Sequence, residues 1–148
     1  MNEPNKTDYA AIRRRFEQLG SGVQADLRRA TDPYQDLPMR PAYYTLMGPQ
    51  NHKNKLRIAF LIPWAEHREG GDTLGVAIAK AKISEKRLFQ MIRSTAPNNL
   101  IQLRRLLQQI NPKVDWNQLG KTLHYWNEIS RRQLLEQYYQ ASANHHDE

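Results

Sequence analysis

Five histidines, fifteen carboxylates and no cysteine make up the usual metal-binding and acid–base side chains of this 148-residue sequence. His67 stands near Glu66, Glu69 and Asp72, a mixture of imidazole and carboxylate that could ligate a metal. Its spacing matches no established ligand pattern, and the stretch EHREGGD is polar and glycine-rich, so a solvated loop is expected. The His145-His146 pair lies in a polar stretch that reads as a tail. Gly70-Gly71-Asp72-Thr73 ahead of a helical pattern is the kind of turn that can hold a phosphate at a helix N-terminus. It lacks both the Walker lysine and a preceding strand. His52 and His124 have no Ser or Asp at a triad-like spacing. The expectation is no catalytic residue, no metal and no cofactor. The lack of cysteine excludes disulfides and thiolate chemistry and fits a reducing cytosol.

The cations say more. Lys and Arg number 22 against 15 Asp and Glu, a net charge of +7, which suits an anionic partner. Solubility alone is the plain alternative, because charge runs usually mark a solvated face. Against it, Glu85 is the one acid between Leu74 and Lys113. The same stretch holds Lys80, Lys82, Lys86, Arg87, Arg93, Arg104, Arg105 and Lys113, with Lys121 just beyond. A surface of one sign repels itself unless something anionic lies on it.

These cations need a scaffold, and the hydrophobic pattern supplies helices. At about 100° per residue from Ser84, Leu88, Phe89, Met91 and Ile92 share one side, and Lys86, Arg87, Gln90 and Arg93 the other. In the next helix Leu100, Leu103, Leu106, Leu107 and Ile110 form the apolar face. Arg105 stands opposite between Gln102 and Gln109, with Arg104 at the flank. Asp8 can cap a helix to Leu19 that buries Ile12, Phe16 and Leu19 and leaves Arg13, Arg14 and Arg15 largely outside. A short helix ending at Thr31-Asp32-Pro33 turns Arg28 and Arg29 away from Val23, Leu27 and Ala30. Arg28 has Asp26 and Asp32 as possible partners. Pro41 suits a first helical turn ahead of Tyr43, Tyr44, Leu46 and Met47. His52 to Trp64 continues as helix, with Lys53, Lys55 and Arg57 around its first half and Pro63 ending or kinking it. Ser84, Asn98 or Asn99, and Asp115 are the expected caps of the last three segments. Trp116, Leu119, Leu123 and Trp126 form a core stripe. Ser130-Arg131-Arg132-Gln133 matches a capping box where that stripe loses phase.

No run alternates with period two, so the expected fold is all-α: a compact helical bundle of about eight helices in two helical halves. Residues 1–66 form the N-terminal part, 67–73 a glycine-containing linker loop, 74–141 a C-terminal bundle and 142–148 a polar tail. No window approaches the ~18 apolar residues of a membrane span, and the first residues lack an apolar leader, so a cytoplasmic protein is expected.

Several stretches resemble one family. LRRATDPYQDLPMRPAYYTL (27–46), LGVAIAKAKISEKRLFQMIRS (74–94), LIQLRRLL (100–107) and VDWNQLGKTLHYWN with RRQLLEQYY (114–139) are similar, in order, to the CasB-type small subunit of the type I-E CRISPR Cascade complex. The resemblance implies an all-α, non-catalytic protein of antiviral defence that binds crRNA and target DNA and stabilises the R-loop. It implies assembly with a second copy of itself, a CasC-type backbone, a CasA-type large subunit and CasE-type and CasD-type ends, with no membrane. The family's basic positions fall on Arg29, Arg87, Arg93 and Arg105. Lys53, Lys55, Arg57, Lys80, Lys82, Lys86, Arg104, Lys121 and Arg131 rank second. A stand-alone helical DNA-binding regulator and a protein-only assembly factor remain the alternatives.

Overall fold

Asp8 opens the first helix: its side chain accepts from the Ala11 amide and so satisfies one of the unpaired donors of helix α1 (Tyr9–Gln18). The structure is a computed structural model that describes residues 7–146, with side chains through Ala143. Helix α2 (Ser21–Arg28) follows after Gly20. A 3-10 turn at Leu37–Met39 leads to α3 (Pro41–Met47), where Pro41 sits in the first turn and its missing N–H leaves nothing unpaired. Helix α4 (Lys53–Leu61) tightens into a 3-10 turn at Ile62–Trp64 around Pro63. The C-terminal helices are α5 (Leu74–Lys80), α6 (Glu85–Arg93), α7 (Asn98–Ile110), α8 (Trp116–His124) and α9 (Glu128–His146). Nine α-helices therefore stand among the described residues.

Ser84 and Asp115 cap α6 and α8 as expected, accepting from the amides of Arg87 and Asn117. Two caps differ. Asn98 and Asn99 lie inside α7, and Asn99 is buried with its amide donating to the Ser94 carbonyl at 3.1 Å. The last helix starts at Glu128, earlier than the box at Ser130 suggests. Asn127 Oδ1 accepts from the Ser130 amide at 2.9 Å, and the Ser130 hydroxyl is drawn back to the Tyr125 carbonyl. The helix also runs on through Ala141 and Ala143 to His146, into the stretch expected as a tail. Alanines favour that continuation. Residues 1–6, 147 and 148 lie outside the described residues.

The expected linker is a strand. Glu66–Asp72 forms β1 and pairs in parallel with β2 (Lys113–Val114), with His67 and Asp72 both set against Val114 and the Gly70-Gly71 tip bulging between them. Partners far along the chain hold it. The Glu66 amide donates to the Pro112 carbonyl at 3.1 Å and the Gly70 amide to Asp115 Oδ2 at 3.2 Å. The Trp116 amide donates to His67 Nδ1 at 3.1 Å. A Cβ on Gly71 would sit 2.8 Å from the Arg68 carbonyl oxygen and 2.9 Å from that of Lys113, so only glycine fits this turn.

One buried cluster joins residues from before and after the strand. Tyr9, Phe16, Tyr43, Phe60, Ile78 and Trp116 are all fully buried in it. Helices α1 and α4 both pack on α8. The Tyr9 ring lies so close over Gly120 that an added Cβ would be 2.5 Å from Tyr9 Cδ1. Helix α5 packs along α9, where the Gly75 amide donates to Gln137 Oε1 at 3.1 Å. Trp116 is a core residue, as its place on the stripe suggests, and its indole N–H donates to the Ala65 carbonyl at 2.8 Å. No helix of the described residues is long and apolar enough to cross a membrane.

Candidate nucleic-acid interface

The amphipathic phases of α6 and α7 bury Leu88, Met91, Leu103, Leu106 and Leu107 between and beneath the two helices. What remains outside is an open groove of about 470 Å³, into which Arg87 and Arg105 project from opposite helices. Gln90, Ser94 and Gln102 complete its polar wall, and no carboxylate lines it. Arg87 reaches across to Gln109 Oε1 on α7. The Ser94 hydroxyl donates to the Gln90 carbonyl at 2.6 Å and accepts from Gln102 Nε2 at 2.9 Å. Ser94 ends α6 and carries no charge, so its part in the groove is invisible in the helical pattern. Guanidinium groups with neutral carboxamides beside them and no carboxylate form a site for anionic oxygen.

The other leading cations lie outside this groove. Arg93 is exposed at the end of α6, with its guanidinium 5.2 Å from the centre of the Phe89 ring. Arg29 is exposed at the end of α2. Its neighbourhood is kept free of competing acid by Arg40, which takes Asp26 at 2.9 Å and Asp36 at 3.1 Å and also donates to the Arg29 carbonyl at 3.3 Å. Burial works to lower the Arg40 pKa, but the hydrogen bonds to Asp26 and Asp36 outweigh it and raise it. The Thr31 amide, with Arg40, lowers that of Asp36. With Asp26 so engaged and Asp32 accepting from the Tyr34 and Gln35 amides, Arg28 pairs with neither and lies 5.4 Å from the Phe16 ring centre.

Several second-rank cations have structural work. Arg104 does not stay at the flank. Its guanidinium turns inward to the Ala30 carbonyl, 4.5 Å from the Phe60 ring centre, with Nε buried and unpaired. Burial first, and Arg105 beside it second, lower its pKa. This contact also ties α7 to the chain one residue beyond Arg29. Arg57 is a C-terminal cap for α8: Nε donates to the Leu123 carbonyl at 2.5 Å, Nη2 to that of His124 at 2.7 Å and Nη1 to the Tyr34 hydroxyl at 3.2 Å. Lys80 is paired with Asp72 at 3.0 Å, and Lys55 donates to Gln50 Oε1 at 2.8 Å. Lys53 stands 5.3 Å from the Tyr34 ring centre and Arg131 6.0 Å from that of Trp126. Lys82, Lys86 and Lys121 are exposed. Arg13, expected outside, is buried on the carbonyl of Ile62 at 2.7 Å, because α1 packs along the 3-10 turn after α4.

His67 is engaged by the Trp116 amide. No cluster of three or more His, Cys, Asp or Glu able to hold a metal occurs among the described residues. His124 lies against Asn54, 3.1 Å from its Nδ2, and burial, then Arg57, lower its pKa.

The model of a family described as CRISPR-associated protein Cse2 matches residues 23–139. The CRISPR system Cascade subunit CasB of Escherichia coli (strain K12) is 30% identical over 151 residues, spanning 90% of this chain and 94% of the relative. A chain in the crystal structure of E. coli Cascade bound to a PAM-containing dsDNA target superposes with a TM-score of 0.88 at 32% identity, covering 95% of this chain and 99% of that one.

Proposed function

The chain belongs to the CRISPR-associated Cse2 family, and on that premise we propose that it is a non-catalytic, nucleic-acid-binding small subunit of a Cascade surveillance complex. In this reading it lies along the crRNA and target DNA beside the other subunits and stabilises the R-loop by holding the target and displaced strands. The observation that carries it is the meeting of Arg87 and Arg105 in one acid-free groove. Two cations on facing helices hold phosphate whatever the base sequence, which suits a complex whose specificity comes from guide pairing. Arg29, Arg93, Lys86 and Lys82 extend the positive field around that groove. Lys53, Lys121 and Arg131 are more distant contributors, and Arg104 and Arg57 serve the fold that presents them.

The test is a guide-loaded complex assembled with and without this chain and titrated with matched double-stranded target at several salt concentrations. Loss of affinity without the chain is expected, restored by wild type and restored poorly by the Arg87→Ala, Arg105→Ala double variant. Each phosphate contact removed should flatten the log–log salt slope by about 0.7 to 0.9. Unchanged affinity and slope in the double variant would refute the assignment.

A further inference from the structure

Helix α2 is short and lightly anchored, and Leu27 is the residue it buries, yet its end carries Arg29, one of the leading cations. Side-chain hydrogen bonds fasten it at both ends. At the start, Gln24 Nε2 donates to the Phe16 and Leu19 carbonyls at 2.9 and 3.1 Å. Past the end, the helical ladder no longer supplies amides for the carbonyls of Arg29 and Ala30. A guanidinium takes each of them: Arg40 donates to that of Arg29 at 3.3 Å, and Arg104 to that of Ala30. Arg104 comes from α7, whose own place is fixed by Leu100, Leu103, Leu106 and Leu107, all fully buried. Its position has a cost, because Nε is buried and unpaired. A methionine there would cover the Phe60 ring without stripping a charge of water. What the guanidinium adds is a hold on the carbonyl next to Arg29, from the residue next to Arg105.

We propose that Arg104 is a positioning residue for nucleic-acid binding: it locks the end of α2 to α7, so that Arg29 and Arg105 present their charges at a fixed spacing. The inference deepens the phosphate-holding reading above and rests on it. Ordering the backbone at Arg29 is then completed on folding and does not oppose binding. Without the lock Arg29 is still present but no longer placed. Arg105 keeps its place in either case, because the leucines of α7 hold it.

The experiment is a double-mutant cycle in the guide-loaded complex, with matched double-stranded target titrated at several salt concentrations. In the wild-type background Arg29→Ala should raise Kd about fivefold and flatten the log–log salt slope by about 0.7 to 0.9. In the Arg104→Met background the same change should raise Kd by less than about twofold, while Arg105→Ala still raises it about fivefold. Gly75→Ala alters the packing of α5 on α9, far from Ala30 in sequence, and should leave the Arg29 effect whole. That control separates positioning from a general loss of stability. In the free chain, Arg104→Met should quicken amide exchange at residues 29–31 at least about tenfold relative to residues 103–107 of α7. An Arg29 effect of equal size in both backgrounds, its loss in Gly75→Ala as well, or unchanged exchange would overturn the proposal. If Arg29→Ala is silent in the wild-type background, the proposal falls with Arg29, and the groove of Arg87 and Arg105 is judged on its own variants. Arg104→Gln, whose shorter stem stops short of the carbonyl, replaces Arg104→Met if that variant does not fold. If neither folds, Arg104 is a core residue and the positioning role is refuted.

Discussion

Arg104 and Arg105 are neighbours in sequence with opposite placement, and replacing each by alanine should separate folding from binding. Arg104→Ala removes a charge-assisted hydrogen bond to the Ala30 carbonyl, worth roughly 1.5–3 kcal/mol, and a partly desolvated contact with Phe60 worth about 1–2 kcal/mol. Burying a guanidinium with Nε unpaired offsets part of this, since the folded state no longer has to strip that charge of water. A net loss of about 2–4 kcal/mol is expected, or a fall in melting temperature of roughly 5–15 °C for a chain of this size. Arg105→Ala should change stability by less than about 0.5 kcal/mol, because Arg105 is exposed. In the assembled complex it should weaken target binding by roughly 1 kcal/mol, about fivefold in Kd, and reduce the salt slope by about 0.7 to 0.9. Thermal denaturation of the free chains and salt-dependent titration of the complexes measure the two effects. If Arg105→Ala unfolds the chain, or Arg104→Ala melts like wild type, the inward and outward assignment is wrong. Arg104→Met, which keeps the stem over Phe60 without the charge, should lie between wild type and Arg104→Ala in stability.

Further outcomes follow from the packing and the titrating groups. Gly75→Ala should force α5 and α9 apart, since the new Cβ would lie 2.5 Å from Gln137 Cβ and 2.9 Å from the Tyr138 nitrogen; a loss of about 1–3 kcal/mol or more in urea denaturation checks it. Arg57→Ala should destabilise by roughly 2–4 kcal/mol, because it strips two carbonyls at the end of α8 of a charged donor, and calorimetry of the free chain reads the loss. His124 is held neutral by burial and by Arg57, so its folded pKa lies below the ordinary 6.5. The unfolded chain then binds the proton more readily, and the stability present above pH 6.5 should decline as pH falls below that value. His124→Asn should flatten this decline in melts compared at pH 7.5 and 5.5. An identical pH slope in wild type and variant would show that His124 is not its source.

The helical architecture was legible because each helix carries its own local signals. Asp8, Ser84 and Asp115 cap, Pro41 starts and Pro63 stops, and the leucine spacing of α6 and α7 places Arg87 and Arg105 outward from residues only three or four positions away. Those signals depend on neighbours in sequence, so the sequence by itself determined an all-α chain with a basic outer face. Tertiary structure decided whatever depends on a distant partner. The charged EHREGGD segment is a strand only because Val114, Asp115 and Trp116 return beside it. Arg104 leaves the surface because the Ala30 carbonyl and the Phe60 ring lie under α7, and Arg57 is consumed by carbonyls of α8. Helical phase places a side chain to within a face of its helix. Whether an arginine at the edge of that face turns to solvent or to a carbonyl is set by what the next element brings, and a guanidinium, with several donors on a long stem, takes the nearest acceptor it can reach.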